Sequence, residues 1–184
     1  KNAMKITYKD KTMEIQEPQK VIDVFKKECN EHVIACICNN QIQSLNHVLK
    51  EDTNIKFIDI SDKDGLRIYI RGLSYIMAKA FSEVYPKALL TVDYQLSNSM
   101  FFEIDNMKVT DEMLEAVSNR MNEIVQEDLP ITKVIMTKEE ADEFYEKNKT
   151  LKGILQKDIK ERDHVTLYYC EDYYNYFYGV MPIS

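Results

Sequence analysis

The chain has 184 residues, 45% hydrophobic and 30% charged, with a formal charge of −7. That is long enough for one large domain or two small ones, and too apolar for a disordered chain. No apolar run reaches ~18 residues, so the sequence carries neither a transmembrane span nor a signal-peptide core, and a cytoplasmic location is expected.

Residues 1–3 precede Met4 and read as a tag remnant. Residues 5–8 and 12–15 alternate around Lys9-Asp10-Lys11, the pattern of a hairpin. Pro18 opens a predicted helix, where its missing N–H costs nothing; Val21, Val24 and Phe25 form its apolar face and it ends near Asn30. Residues 33–38 read as a strand, Asn39-Asn40 as a turn, and residues 42–48 and 54–60 as further strands. One helix across a mixed sheet in about sixty residues is the order of a ubiquitin-like β-grasp. The polar run Ser61-Asp62-Lys63-Asp64-Gly65 marks a boundary. The expected division is therefore 4–61 and 62–184.

A long helix follows over 66–84, closed by Tyr85-Pro86, with Leu66, Ile70, Leu73, Met77 and Phe81 as its apolar stripe. Residues 89–96 and 100–104 form a predicted hairpin turning at Ser97-Asn98-Ser99. Thr110 is a strong N-cap for a helix reaching about Glu127, with Asp111 and Glu112 complementing its first turn. Pro130 stops it and 131–136 read as a strand. Thr137-Lys138-Glu139-Glu140 is a capping box opening another helix to about Asn148. A short helical piece over 151–157 and strands near 165–170 and 173–178 complete an α+β chain. Six of the twelve tyrosines fall within 168–184. Base-stacking platforms are one reading of them. With Glu161, Asp163, Glu171 and Asp172 nearby, a half-buried strand that keeps its hydroxyls wet is the favoured one.

Several chemistries are disfavoured at this level. Gly65, Gly72, Gly153 and Gly179 are too far apart to write either common phosphate-binding loop, so nothing here could cradle a triphosphate. Residues 1–61 are neutral and all seven excess negative charges fall in 62–184, which argues against autonomous nucleic-acid binding. Cys29, Cys36, Cys38 and Cys170 fit a reduced interior better than a disulfide framework. Cys29, His32, Cys36 and Cys38 could be written as a metal set. Cys36 and Cys38 lie in an apolar run, however, where cysteine is usually a small buried hydrophobe, and no metal site is assigned.

The segment order resembles the N-terminal half of a threonyl-tRNA synthetase, in which a β-grasp TGS domain precedes an editing domain. The likeness rests on Lys63-Asp64-Gly65-Leu66 before the long helix, Val84-Tyr85-Pro86 at its end, Asn98-Ser99-Met100-Phe101-Phe102-Glu103, Val109-Thr110-Asp111-Glu112, and residues 173–179. In that family the editing pocket uses a His-x-x-x-His pair on the long helix and a Cys-x-x-x-His pair near the domain's end. Related deacylases bind zinc with this set. Aligned on Tyr85-Pro86 and Gly179, those positions fall here on Arg71 and Tyr75, and on Phe177 and Met181. Phenyl offers no lone pair, guanidinium is permanently cationic, and phenol titrates near 10, so neither a metal site nor a neutral-pH base is expected. The resemblance thus implies no catalytic residue. It leaves a candidate ligand pocket of Arg71, Tyr75, Phe177, Tyr178 and Met181, suited to a nucleoside, nucleotide or amino acid.

The ending Asp172-Tyr173-Tyr174-Asn175-Tyr176-Phe177-Tyr178-Gly179 is similar to one in bacterial nucleoside kinases of the uridine kinase/phosphoribulokinase family. Those proteins place a TGS domain and a degenerate synthetase-like domain before a P-loop kinase domain. This resemblance implies a non-catalytic, ligand-binding or regulatory front end whose kinase domain, using ATP and Mg²⁺, lies beyond residue 184 and is its partner. The alternative is a synthetase-related aminoacyl-tRNA editing or tRNA-binding module.

Overall fold

The computed structural model describes residues 2–93, 101–147, 164–177 and 179–184. The expected turn at Ser97-Asn98-Ser99, the helical piece over 151–157, Glu161, Asp163 and Tyr178 lie outside them. Contacts divide the chain into two units, Lys1–Ile70 with Val180–Ile183, and Arg71–Gly179 with Ser184.

The first unit is built on strands β1 (Met4–Tyr8) and β2 (Lys11–Ile15), which pair antiparallel through a turn at Lys9, a residue with φ +54°. β3 (Gln19–Lys20) leads into α1 (Val21–Val24), then come β4 (Val33–Cys38), β5 (Gln41–Gln43), β6 (Val48–Leu49) and β7 (Thr53–Asp59). The five-stranded sheet has the order β2-β1-β7-β4-β5, with β1 and β7 parallel and the other pairs antiparallel. A central parallel pair flanked by hairpins is the mixed sheet that the β-grasp reading requires. Met4, Ile6, Val21, Phe25, Leu49 and Ile55 fill its core. Tyr8, Phe25 and Phe57 meet edge to face with centroids 5.3–5.7 Å apart.

Two expectations change here. The helix expected from Pro18 to Asn30 is one turn only, because Gln19–Lys20 is captured as a strand by Val48–Leu49. The amides of Val21 and Ile22 are also taken by the carbonyls of His47 and Leu45. Tertiary hydrogen bonds outcompete the modest helical signal of this stretch. The strand expected over 42–48 is two short strands, separated where His47 N–H closes onto Ser44 O and Asn46 N–H onto Ser44 Oγ.

Helix α2 (Lys63–Val84) opens at the boundary turn, where Ser61 N–H bonds Asp59 Oδ1, Asp62 N–H bonds Asp59 O, and Leu66 N–H bonds Asp62 O. Gly65 lies so close to that turn that a Cβ would stand 2.0 Å from the Asp59 carbonyl oxygen. Arg71–Gly179 and Ser184 belong to the second unit. It continues with the antiparallel pair β8 (Leu90–Asp93) and β9 (Phe101–Ile104), then α3 (Asp111–Gln126), β10 (Thr132–Thr137), α4 (Lys138–Lys147), β11 (His164–Cys170) and β12 (Tyr173–Tyr176). Thr110 caps α3 by accepting from Met113 N–H at 3.2 Å, and Thr137 Oγ1 accepts from Glu140 N–H at 3.1 Å. Strands β10, β11 and β12 form an antiparallel meander. Met77, Ala80 and Phe81 of α2 pack with Met113, Val117 and Ile124 of α3. Among the described residues no helix is long and apolar enough to cross a membrane.

Candidate functional site

From Ser74 to Phe81, α2 is buried at every position except the half-buried Ala78. A helix enclosed on nearly all sides must satisfy its polar side chains within the protein. Tyr75 is fully buried, and its single O–H proton is shared between two main-chain carbonyls, Tyr168 O at 3.0 Å and Tyr173 O at 3.2 Å. These carbonyls belong to β11 and β12, so one phenol clasps both arms of the hairpin. Its ring meets Tyr173 at 5.2 Å and Phe177 at 5.5 Å, both edge-on. Burial, with Tyr173 and Cys170 close by, pushes the phenol far above its ordinary range, so it stays neutral.

Arg71 stands one turn earlier. Its guanidinium lies against Gly179, where a Cβ would come within 2.8 Å of Cζ, and Gly179 itself has φ +89°. The Tyr168 hydroxyl donates to Gly179 O at 3.0 Å, fixing the same segment from the strand side. Arg71, Tyr75 and Phe177 are thus gathered about Gly179 and the hairpin. Met181 is buried and belongs with the first unit, and Tyr178 is outside the described residues.

One turn beyond Tyr75, Lys79 is fully buried. Its ammonium bonds Glu83 Oε1 at 2.6 Å and Glu171 Oε1 at 3.1 Å, and Arg120 Nε of α3 holds the other Glu83 oxygen. Arg120 also reaches Glu123 at 3.0 Å. Glu171 sits at the hairpin tip with φ +55°, so the network joins α2, α3 and the β11–β12 turn. Burial opposes the Lys79 charge, but Glu83 and Glu171 outweigh it and the ammonium titrates above its ordinary range. Burial likewise opposes ionisation of Glu83, and Arg120 with Lys79 reverses this, holding the carboxyl below its ordinary range. Sequence reading missed this network. Its one local signal was Lys79 at i−4 from Glu83 on the helix.

A cleft of about 80 Å³ lined by Ile76, Ile124, Leu129, Ile131 and Cys170 opens beside the network. That is well below the ~300 Å³ at which pockets begin to enclose drug-sized ligands. Among the described residues no group of three or more His, Cys, Asp or Glu side chains could hold a metal ion. Arg71, Tyr75 and Phe177 provide no ligand set for the zinc that the family resemblance brings to mind.

A β-grasp unit followed by an α+β unit is the layout of the N-terminal region of threonyl-tRNA synthetase homologues. No family model matches the chain. Curated relatives do, and those described here are threonine–tRNA ligases. The chain is 27% identical over 171 residues to that of Clostridium kluyveri, covering 90% of this chain and 27% of the relative. It is 28% identical over 167 residues to that of Chlamydia caviae, covering 90% and 26%. It is 27% identical over 176 residues to that of Desulforamulus reducens, covering 92% and 28%. The chain therefore spans about a quarter of the length of the curated relatives it matches, and the similarity runs through both of its units.

Proposed function

We propose that the chain is a threonyl-tRNA synthetase-related module that binds the aminoacylated end of tRNA without hydrolysing it. The observation that carries this reading is the state of Tyr75. At the helical position that the resemblance assigns to an imidazole, a phenol is buried and donates its only proton to the hairpin main chain. A general base needs a proton affinity matched to neutral pH, and a neutral phenol whose proton is already given to main-chain carbonyls is far too weak a base. What the segment retains is recognition chemistry: a permanent cation at Arg71 against Gly179, to which the Tyr168 hydroxyl also bonds, with the Phe177 ring two residues away in sequence, suited to a phosphate or carboxylate next to a planar group. The net charge of −7 argues against a long phosphate-backbone contact, so binding is concentrated at the acceptor end.

The test is fluorescence anisotropy with an acceptor-stem minihelix, aminoacylated with threonine or serine through a stable amide, alongside deacylation assays on the ester-linked forms. Expected are saturable binding, a shallow dependence on salt, weakening by Arg71→Met, and no deacylation above the protein-free rate. Ester hydrolysis by the purified chain, or no binding of either minihelix at low salt, overturns the proposal.

A second reading, the nucleoside kinase front end with ATP and Mg²⁺ at a partner domain outside this chain, rests on the Asp172–Gly179 resemblance alone, and none of the three relatives above bears that name. A thermal shift with nucleosides or nucleotides, and none with the minihelices, would favour it.

A further inference from the structure

In the first unit, Cys36 and Cys38 are two residues apart on β4 and face the same side, into the core with Leu45 and Leu49. Their sulfurs are 3.7 Å apart. The Cys36 thiol also lies 3.5 Å from Gln43 O and 3.6 Å from Ser44 O, at the end of β5. β5 is three residues long, occupies the sheet edge and pairs only with β4 through Cys36–Gln43, Ile37–Ile42 and Cys38–Gln41. We propose that Cys36 and Cys38 are a thiol–disulfide exchange site that takes small disulfides such as oxidised glutathione and closes to a reversible bond within one strand.

The chemistry balances as two exchanges. The Cys38 sulfur, as thiolate, attacks one sulfur of the small disulfide; that S–S bond breaks, a mixed disulfide forms and one thiolate leaves. Cys36 then gives its proton to solvent and attacks the Cys38 sulfur, expelling the second thiolate. The protein loses two electrons, and the small disulfide gains them to become two thiols. Either thiol can donate to the other across the 3.7 Å contact, so the sulfur that ionises is held as thiolate by its neighbour's S–H; Cys38, lowered by Cys36, is taken as the attacking member. Cys29, packed against the same core, is pushed up to about 11 by burial and by Glu28 and is a poor competitor. Both reacting thiols are buried, so exchange follows opening of the short edge strand.

The bond would be easily reduced. Residues i and i+2 of an antiparallel strand are about 6.8 Å apart. This is the upper limit of the usual Cα separation for a disulfide, so β4 must contract to close it. Contraction disturbs the pairing with β5, which couples oxidation to the edge of this sheet.

The whole chain is incubated with excess glutathione disulfide, free thiols are trapped by alkylation, and intact mass is read. Expected is loss of two hydrogens with no retained glutathione, in the native chain and equally in Cys29→Ser, reversed by a dithiol. Cys36→Ala, checked for folding by circular dichroism, should instead retain one glutathione on Cys38. If Cys29→Ser abolishes the closed product, the bond belongs to Cys29 and the proposal fails. It fails equally if the folded chain shows no closed product while the urea-unfolded chain does.

Discussion

Lys79→Met replaces a buried ammonium with a side chain of similar length and no charge. The lost contacts are the bonds to Glu83 at 2.6 Å and Glu171 at 3.1 Å. A hydrogen bond between charged groups contributes about 1.5–3 kcal/mol, and removing one partner of a buried pair costs about 3–5 kcal/mol. Two features reduce the figure. Glu83 keeps Arg120, and Glu171 is 47% exposed, so water replaces much of what it loses. The expected net loss is about 2–3 kcal/mol, or roughly 5–10 °C in the melting temperature of a chain this long. The pH dependence has a definite sign. Glu83 is held below its ordinary range, so its contribution is present above the unfolded value of about 4.3 and fades as pH falls through the lower folded value. Lys79 is raised, so its contribution is present below about 10.4 and fades as pH climbs past the folded value. The difference between native and Lys79→Met melts, followed by differential scanning calorimetry, should therefore be widest near neutrality and shrink below about pH 4. A double-mutant cycle with Glu83→Gln should show coupling of about 1 kcal/mol or more. A Lys79→Met chain as stable as the native one at pH 7, with no coupling to Glu83, would refute the reasoning.

Tyr75→Phe keeps the ring contacts but removes the phenolic donor from the carbonyls of Tyr168 and Tyr173; urea unfolding should show a loss of about 1–3 kcal/mol. Gly65→Ala should cost about 3 kcal/mol or more and reduce soluble yield, because its Cβ meets the rigid Asp59 carbonyl and the main chain must shift. Thr110→Ala removes the α3 cap and should cost about 1 kcal/mol, read as a lower urea midpoint with unchanged slope.

Much of the architecture was legible because local signals agreed with the final packing. Thr110 and Thr137 announce their helices through side-chain oxygens that accept the expected amides, and Asn39-Asn40, both at positive φ, turn β4 into β5. The stretch after Pro18 misled because its helical spacing was real but short, and pairing with Val48–Leu49 decided the outcome. The same holds at the site. The resemblance pointed to Arg71, Tyr75, Phe177, Tyr178 and Met181; Arg71 lies against Gly179 and Tyr75 against Phe177, Met181 groups with the first unit, and Tyr178 is outside the described residues. That the phenol would bond main chain was not legible, since the carbonyls it reaches are 93 and 98 residues away. Lys79 was invisible for a similar reason. One of its partners, Glu83, is a helix neighbour, but Glu171 comes from a distant turn that no periodicity connects to it.

The clasp of Tyr75 on both arms of the hairpin also bears on substitution there. A histidine introduced at residue 75 would have to take over the proton-donor role toward the carbonyls of Tyr168 and Tyr173 while giving up the phenol's ring contacts with Tyr173 and Phe177. Placing a base at residue 75 would therefore demand concerted change in a helix and two strands, because one side chain holds all three together.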